Sequence, residues 1–128
     1  MIERNPLRRP KLHFDAIAHP HHVTFDDGKE QRCNFPWMNY VRAHWDHTEL
    51  DTIKIEIGDC LVVIRGHNLG PLFLAVEDHT LMRVRAQPDL EHDGERVIDT
   101  FAWEIRFTEP PPGKSANQRG QIELHLGG

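Results

Sequence analysis

The chain has 128 residues, 38% of them hydrophobic, and 20 acidic against 15 basic side chains give it a formal net charge of −5. This length suits one globular unit, able to bury about two-thirds of its unfolded surface without needing a disulfide or a metal in order to fold. The acidic balance lacks the basic footprint of a nucleic-acid binder. No apolar run in the chain approaches the roughly 20 residues of a membrane-spanning helix.

Residues 1–12 read as a flexible basic arm, and residues 13–128 as a single globular domain. Within the first 11 residues Arg4, Arg8, Arg9 and Lys11 face only Glu3, a net of +3 that leaves −8 on the remainder. Pro6 and Pro10 interrupt this stretch, and no apolar segment follows its charges, which reads against a secretory signal. Cys33 and Cys60 are the only cysteines and form no CxxC. They read as reduced, buried thiols of a cytoplasmic protein.

Residues 22–25 and 31–35 are β-prone runs on either side of Asp26-Asp27-Gly28-Lys29. Asp-Gly in that setting predicts a hairpin through a type I′ turn, because glycine tolerates the positive φ. Pro36 breaks the pattern. Over residues 38–46, Val41, Ala43 and Trp45 alternate with Tyr40, Arg42 and His44, which predicts a half-buried strand with the first three turned inward. Ile53, Ile55 and Ile57 alternate with Lys54 and Glu56, Gly58-Asp59 follows, and residues 60–65 return as CLVVIR. Glycine first in a two-residue turn suits type II′. The continuous apolar return predicts a central strand covered on both faces.

Asn68 is placed to cap a helix with Pro71 in its first turn. Leu69, Leu72, Phe73 and Val76 carry the helical spacing to residue 78. Residues 81–86 resume as a strand and 88–94 form an acidic loop. Phe101, Trp103, Ile105 and Phe107 alternate with Ala102, Glu104 and Arg106 as a strong strand, stopped by Pro110-Pro111-Pro112-Gly113. Residues 114–120 are linker-like. Ile122, Leu124 and Leu126 suggest a short terminal strand. The pattern predicts an α+β fold: a curled or barrel-like antiparallel sheet of short strands packed by one helix over 69–78.

Ten histidines stand out in a chain of this size. His19, His21 and His22 lie in AHPHH, and His44 and His47 flank Trp45 and Asp46 in HWDH. Imidazoles and carboxylates are the usual ligands of zinc and related divalent metals. Were the strands around 19–25 and 40–46 neighbours, these histidines would converge on a metal; with no HExxH and no CxxC, the alternative is a set of solvated side chains. Arg65, His67 and Asn68 lie between a buried strand and a helix start, where a guanidinium, an imidazole and free amides would hold a small anion. The competing reading is a turn at Gly66 and a cap at Asn68.

No nucleophile has a visible activating partner. Ser115 is the only serine and lies in the linker, and Trp37, Trp45 and Trp103 suit packing as well as ligand stacking. The residues therefore favour a non-enzymatic binding or assembly module, a homo-oligomer pairing exposed strand edges or a receptor for a protein or anionic ligand. The alternative is a histidine-rich metal-binding protein or metal-dependent enzyme.

Overall fold

The computed structural model describes residues 9–92 and 98–109. In chain order these form β1 (Phe14–Ala16), β2 (His22–Asp26), β3 (Arg32–Pro36), a 3-10 turn at Trp37–Asn39, β4 (Tyr40–Trp45), β5 (Thr52–Ile57) and β6 (Cys60–His67). The helix α1 (Gly70–Glu77), β7 (Leu81–Arg85), a 3-10 turn at Pro88–Leu90 and β8 (Phe101–Thr108) complete the set. The strand expected at 122–126, the linker at 114–120 and the proline stop at 110–113 lie outside the described residues, as does part of the acidic loop.

The strands do not form one curled sheet. They make two four-stranded sheets, in the orders β1-β7-β2-β3 and β4-β5-β6-β8, and neither closes into a barrel. Nor is the pairing all antiparallel: β2 and β7 run parallel, with Phe25 opposite Val84. A parallel pair needs a long crossover, and here it contains β3 to β6 and α1. Val23 and Phe25 from one sheet, Ile53, Ile55, Ile57, Val62 and Ile64 from the other, and Leu69, Leu72 and Val76 at α1 belong to one buried cluster. Among the described residues no helix is long and apolar enough to cross a membrane.

Local chemistry accounts for the clearest hairpin. Ile57 pairs with Cys60 across Gly58-Asp59, and Gly58 has φ of 59° while Asp59 stays out of the positive region. That is the type II′ signature. β6 is central as expected, with Val62, Val63 and Ile64 buried in succession. Val63 lies on the face away from Ile64, flanked in register by Lys54 and Arg106, whose aliphatic stems can cover apolar surface.

Four expectations need correction. The turn between β2 and β3 spans residues 27–31 rather than two residues: the Asp27 carboxylate accepts the amides of Lys29, Glu30 and Gln31 at 2.8, 2.9 and 3.0 Å, and that network sets the longer loop. Val41 is not core but 48% exposed. Register slips between Tyr40 and Arg42, so Tyr40, Ala43 and Trp45 face Ile57, Ile55 and Ile53 while Val41 is the extra residue of a bulge. A second slip lies in β8. Arg65 opposes Glu104 but Gly66 opposes Ala102, so Ala102 is fully buried and Trp103 only half-buried. Finally, Leu69 and not Asn68 occupies the helix cap, with no side chain capping it. Asn68 sits at φ 50° and its Nδ2 donates to the Asp99 carbonyl at 3.3 Å.

Candidate functional site

Among the described residues four strands stand at sheet edges: β1, β3, β4 and β8. An edge offers unpaired backbone groups to any other extended chain, and folded proteins usually blunt it. β1 has three residues, β3 ends in Pro36, and β4 carries the bulge at Val41. β8 is the exception. It is eight residues long, β6 is its one strand partner among the described residues, and its bulge at Trp103 and the Ala102 carbonyl, which accepts the Gln87 amide at 2.7 Å, both lie near its start. Beyond Trp103 its register with β6 is regular to Thr108.

A groove of about 510 Å³ runs along this outer edge, lined by every residue from Trp103 to Thr108. Lining by consecutive residues means that the strand presents its edge, since a strand face would contribute alternate ones. The opposite wall is the 27–31 turn, through Asp27, Lys29 and Gln31, together with Pro88 and Glu91. That wall is braced from within. Gly28 sits at φ 76° against Ala86, whose carbonyl oxygen would lie 2.7 Å from any Cβ added there. The Ala86 amide donates to the Asp26 carbonyl at 2.8 Å. Amides donated from Lys29 first, then from Gln31 and Glu30, hold the Asp27 carboxyl below the usual carboxylate range.

Charges of both signs line the groove. Arg65 reaches Asp51 through Nη2 at 3.5 Å and Glu104 through Nη1 at 3.8 Å, and Arg106 Nε lies 3.9 Å from the other Glu104 oxygen. Trp103 closes one end and is also a wall of a second cavity, a cleft of about 610 Å³ at the junction of β6 and α1. Trp45, Leu50, Leu69, Pro71 and Ile98 give that cleft its apolar lining. Trp45 is held by its indole N–H, which donates to the Leu50 carbonyl at 2.9 Å, and by the Phe73 ring at 5.5 Å. Gly66 admits the close crossing of β6 and β8 at the cleft: an added Cβ would lie 2.2 Å from the Phe101 carbonyl oxygen.

The residues singled out in the sequence are distributed unevenly over these features. His67 and Asn68 line the cleft, with the His67 ring 5.7 Å from Phe101. Arg65 lines the groove instead, and its partner Asp51 lines the cleft, so an anion at the helix start would meet a carboxylate. His19, His21, His22, His44 and His47 are all exposed. The strands carrying them are not neighbours, because β2 lies in one sheet and β4 in the other. Among the described residues no group of three or more histidine, cysteine or carboxylate side chains is placed to hold a metal ion.

Sequence reasoning missed the groove itself. Its lining joins a strand to turn residues distant in the chain, and only strand order shows that β8 is an edge among the described strands. Glu104 and Arg106, noted in the sequence only as alternating with apolar residues, lie among its charges. No protein-family model, curated protein or solved structure matches the chain.

Proposed function

We propose that the protein is a non-enzymatic binding module that receives an extended segment of another chain along the outer edge of β8. The observation that carries this reading is the groove lined by consecutive residues 103–108 on β8, the longest edge strand among the described residues. In strand addition the main-chain hydrogen bonds supply affinity, and pockets for alternate side chains supply specificity. The groove-facing edge of residues 103–108 offers the first. The adjoining tryptophan-lined cleft offers the second, as a receptacle for a large apolar side chain next to Trp103. The braced 27–31 turn fits the same reading, because a rigid wall lowers the ordering cost of binding.

The test uses a synthetic octapeptide of alternating threonine and valine as a generic extended ligand. Amide hydrogen exchange of the full chain is followed with and without it. Protection confined to residues 103–108, with quenching of tryptophan fluorescence, is the expected result. Unchanged exchange along β8 at millimolar peptide would reject edge binding.

A further inference from the structure

We propose that the segment received is β8 of a second copy of this chain, paired antiparallel about a two-fold axis through Ile105; this rests on the edge reading above. Isologous pairing demands a strand that is complementary to itself, because residue i meets j and j meets i. Residues 103–107 read Trp-Glu-Ile-Arg-Phe, with opposite charges placed symmetrically about Ile105 and aromatic rings placed symmetrically outside them. Centred there, Glu104 stands opposite the partner's Arg106, and Arg106 opposite the partner's Glu104. Trp103, the extra residue of the bulge, lies outside this regular register. Opposite charges are stabilising cross-strand neighbours, whereas like charges directly opposed are destabilising.

The alternatives to this register fail on the same charges. Moving the axis to residue 104 sets Glu104 against itself, and moving it to 106 sets Arg106 against itself. A parallel in-register pair opposes like charges at both positions. A shift of the pairing by a single residue turns the partner's core face to the opposite side of the sheet. The Arg106 side chain is free to reach across: it is 58% exposed, and its contact with Glu104 in its own chain, at 3.9 Å, is longer than a hydrogen bond. Pairing would join two four-stranded sheets into one of eight strands and cover the longest edge strand among the described residues.

The experiment is sedimentation of the full chain over a wide concentration range, up to about 500 µM, where even a weak dimer is populated. The wild-type chain is expected to form dimers. Glu104→Arg and Arg106→Glu should each weaken dimerisation roughly tenfold or more, and the double exchange should restore it, as for a directly opposed pair. Circular dichroism shows whether each variant is folded, and concentration-dependent amide protection at 103–107 in the wild-type chain gives a readout that needs no variant. A monomer at every concentration overturns the proposal, and so does a dimer indifferent to both single exchanges. A monomer whose β8 amides are still protected by the threonine–valine peptide rejects self-pairing alone; a monomer that ignores the peptide rejects the edge reading as well.

Discussion

The carboxylate of Asp99 lies 3.9 Å from Nε2 of His13 and is fully buried, while its other oxygen accepts the Lys11 amide at 2.9 Å. The two residues join chain segments far apart in sequence. Around them Thr100 donates its amide to the Lys11 carbonyl, His13 donates its amide to the Thr100 carbonyl, and the Thr100 hydroxyl donates to the Asn68 carbonyl at 2.6 Å. Residues 99–100 thus clasp the start of the described chain on one side and the approach to α1 on the other. Asp99→Ala removes the carboxylate and leaves the Lys11 amide without its partner. We expect a loss of about 2–4 kcal/mol in urea titration. A loss below about 0.5 kcal/mol, typical of a surface change, would mean that the clasp carries no weight.

The two bulges separate exposure from periodicity. Ile55 is fully buried, so Ile55→Ala should cost roughly 2–5 kcal/mol. Val41, given the same inward role by simple alternation, is 48% exposed at the bulge, and Val41→Thr should change stability by less than about 0.5 kcal/mol. Equal losses at the two sites would place Val41 in the core after all.

Gly66 is required for space and not for φ. A methyl group there would sit 2.2 Å from the Phe101 carbonyl oxygen and 2.9 Å from Ala102 Cα, both backbone atoms that cannot swing aside. Gly66→Ala should therefore destabilise the fold by at least roughly 1–3 kcal/mol and perturb the tryptophan cleft that it borders. Thermal melts together with tryptophan emission read both effects.

Stability should fall off at both ends of the pH range for different groups. Asp27 is held below its ordinary range by the amides of its turn. A carboxyl depressed in the folded state contributes stability that is present above its unfolded value and lost as pH falls through the folded one, so its share disappears below about pH 4. Burial first, then the neighbouring Glu77 charge, pushes the Tyr40 phenol up. Burial first, with Cys33 second, does the same to the Cys60 thiol. Groups raised in the folded state contribute below their unfolded values, and that share is lost as pH rises through the folded ones. The alkaline decline should begin near pH 9 with the thiol and steepen above about pH 10 with the phenol. Tyr40→Phe should flatten the upper part, and Asp27→Asn the acid limb, in melting curves taken across the range.

The exposed histidines of the AHPHH and HWDH runs lie on separate sheets, so a strong chelator should move the melting temperature by less than about 1 °C at pH 7.5. A ligand that binds only the folded state raises apparent stability by mass action. A drop of several degrees on chelation would therefore mean that a bound metal had been stripped from the protein.

Much of the fold was legible one element at a time. The β5–β6 hairpin follows from isoleucines alternating up to a glycine-led turn, and the depth of β6 from its unbroken apolar run. The span of α1 follows from leucine, phenylalanine and valine at helical spacing. His67 and Asn68 were identified by their place between a buried strand and a helix, and both line the cleft. Each of these inferences rests on neighbours within about one turn or one hairpin, where side-chain periodicity and turn chemistry decide the outcome.

What remained hidden depends on contacts between residues distant in the chain. The parallel union of β2 with β7 joins strands separated by most of the other elements, and no local signal announces it. The bulges at Val41 and Trp103 arise because each strand must match a partner already fixed by its own packing, and an extra residue is expelled wherever the two registers differ. Residue types and their alternation determined β2 to β8 as strands but not β1, and also where the helix runs and which isoleucines are buried. Only the tertiary structure decided that β8 is outermost among the described strands of its sheet and that Trp103 leaves the core to stand between two cavities. An edge is a property of strand order, which is settled by the burial of both sheets against one core and is written in no single stretch of the chain.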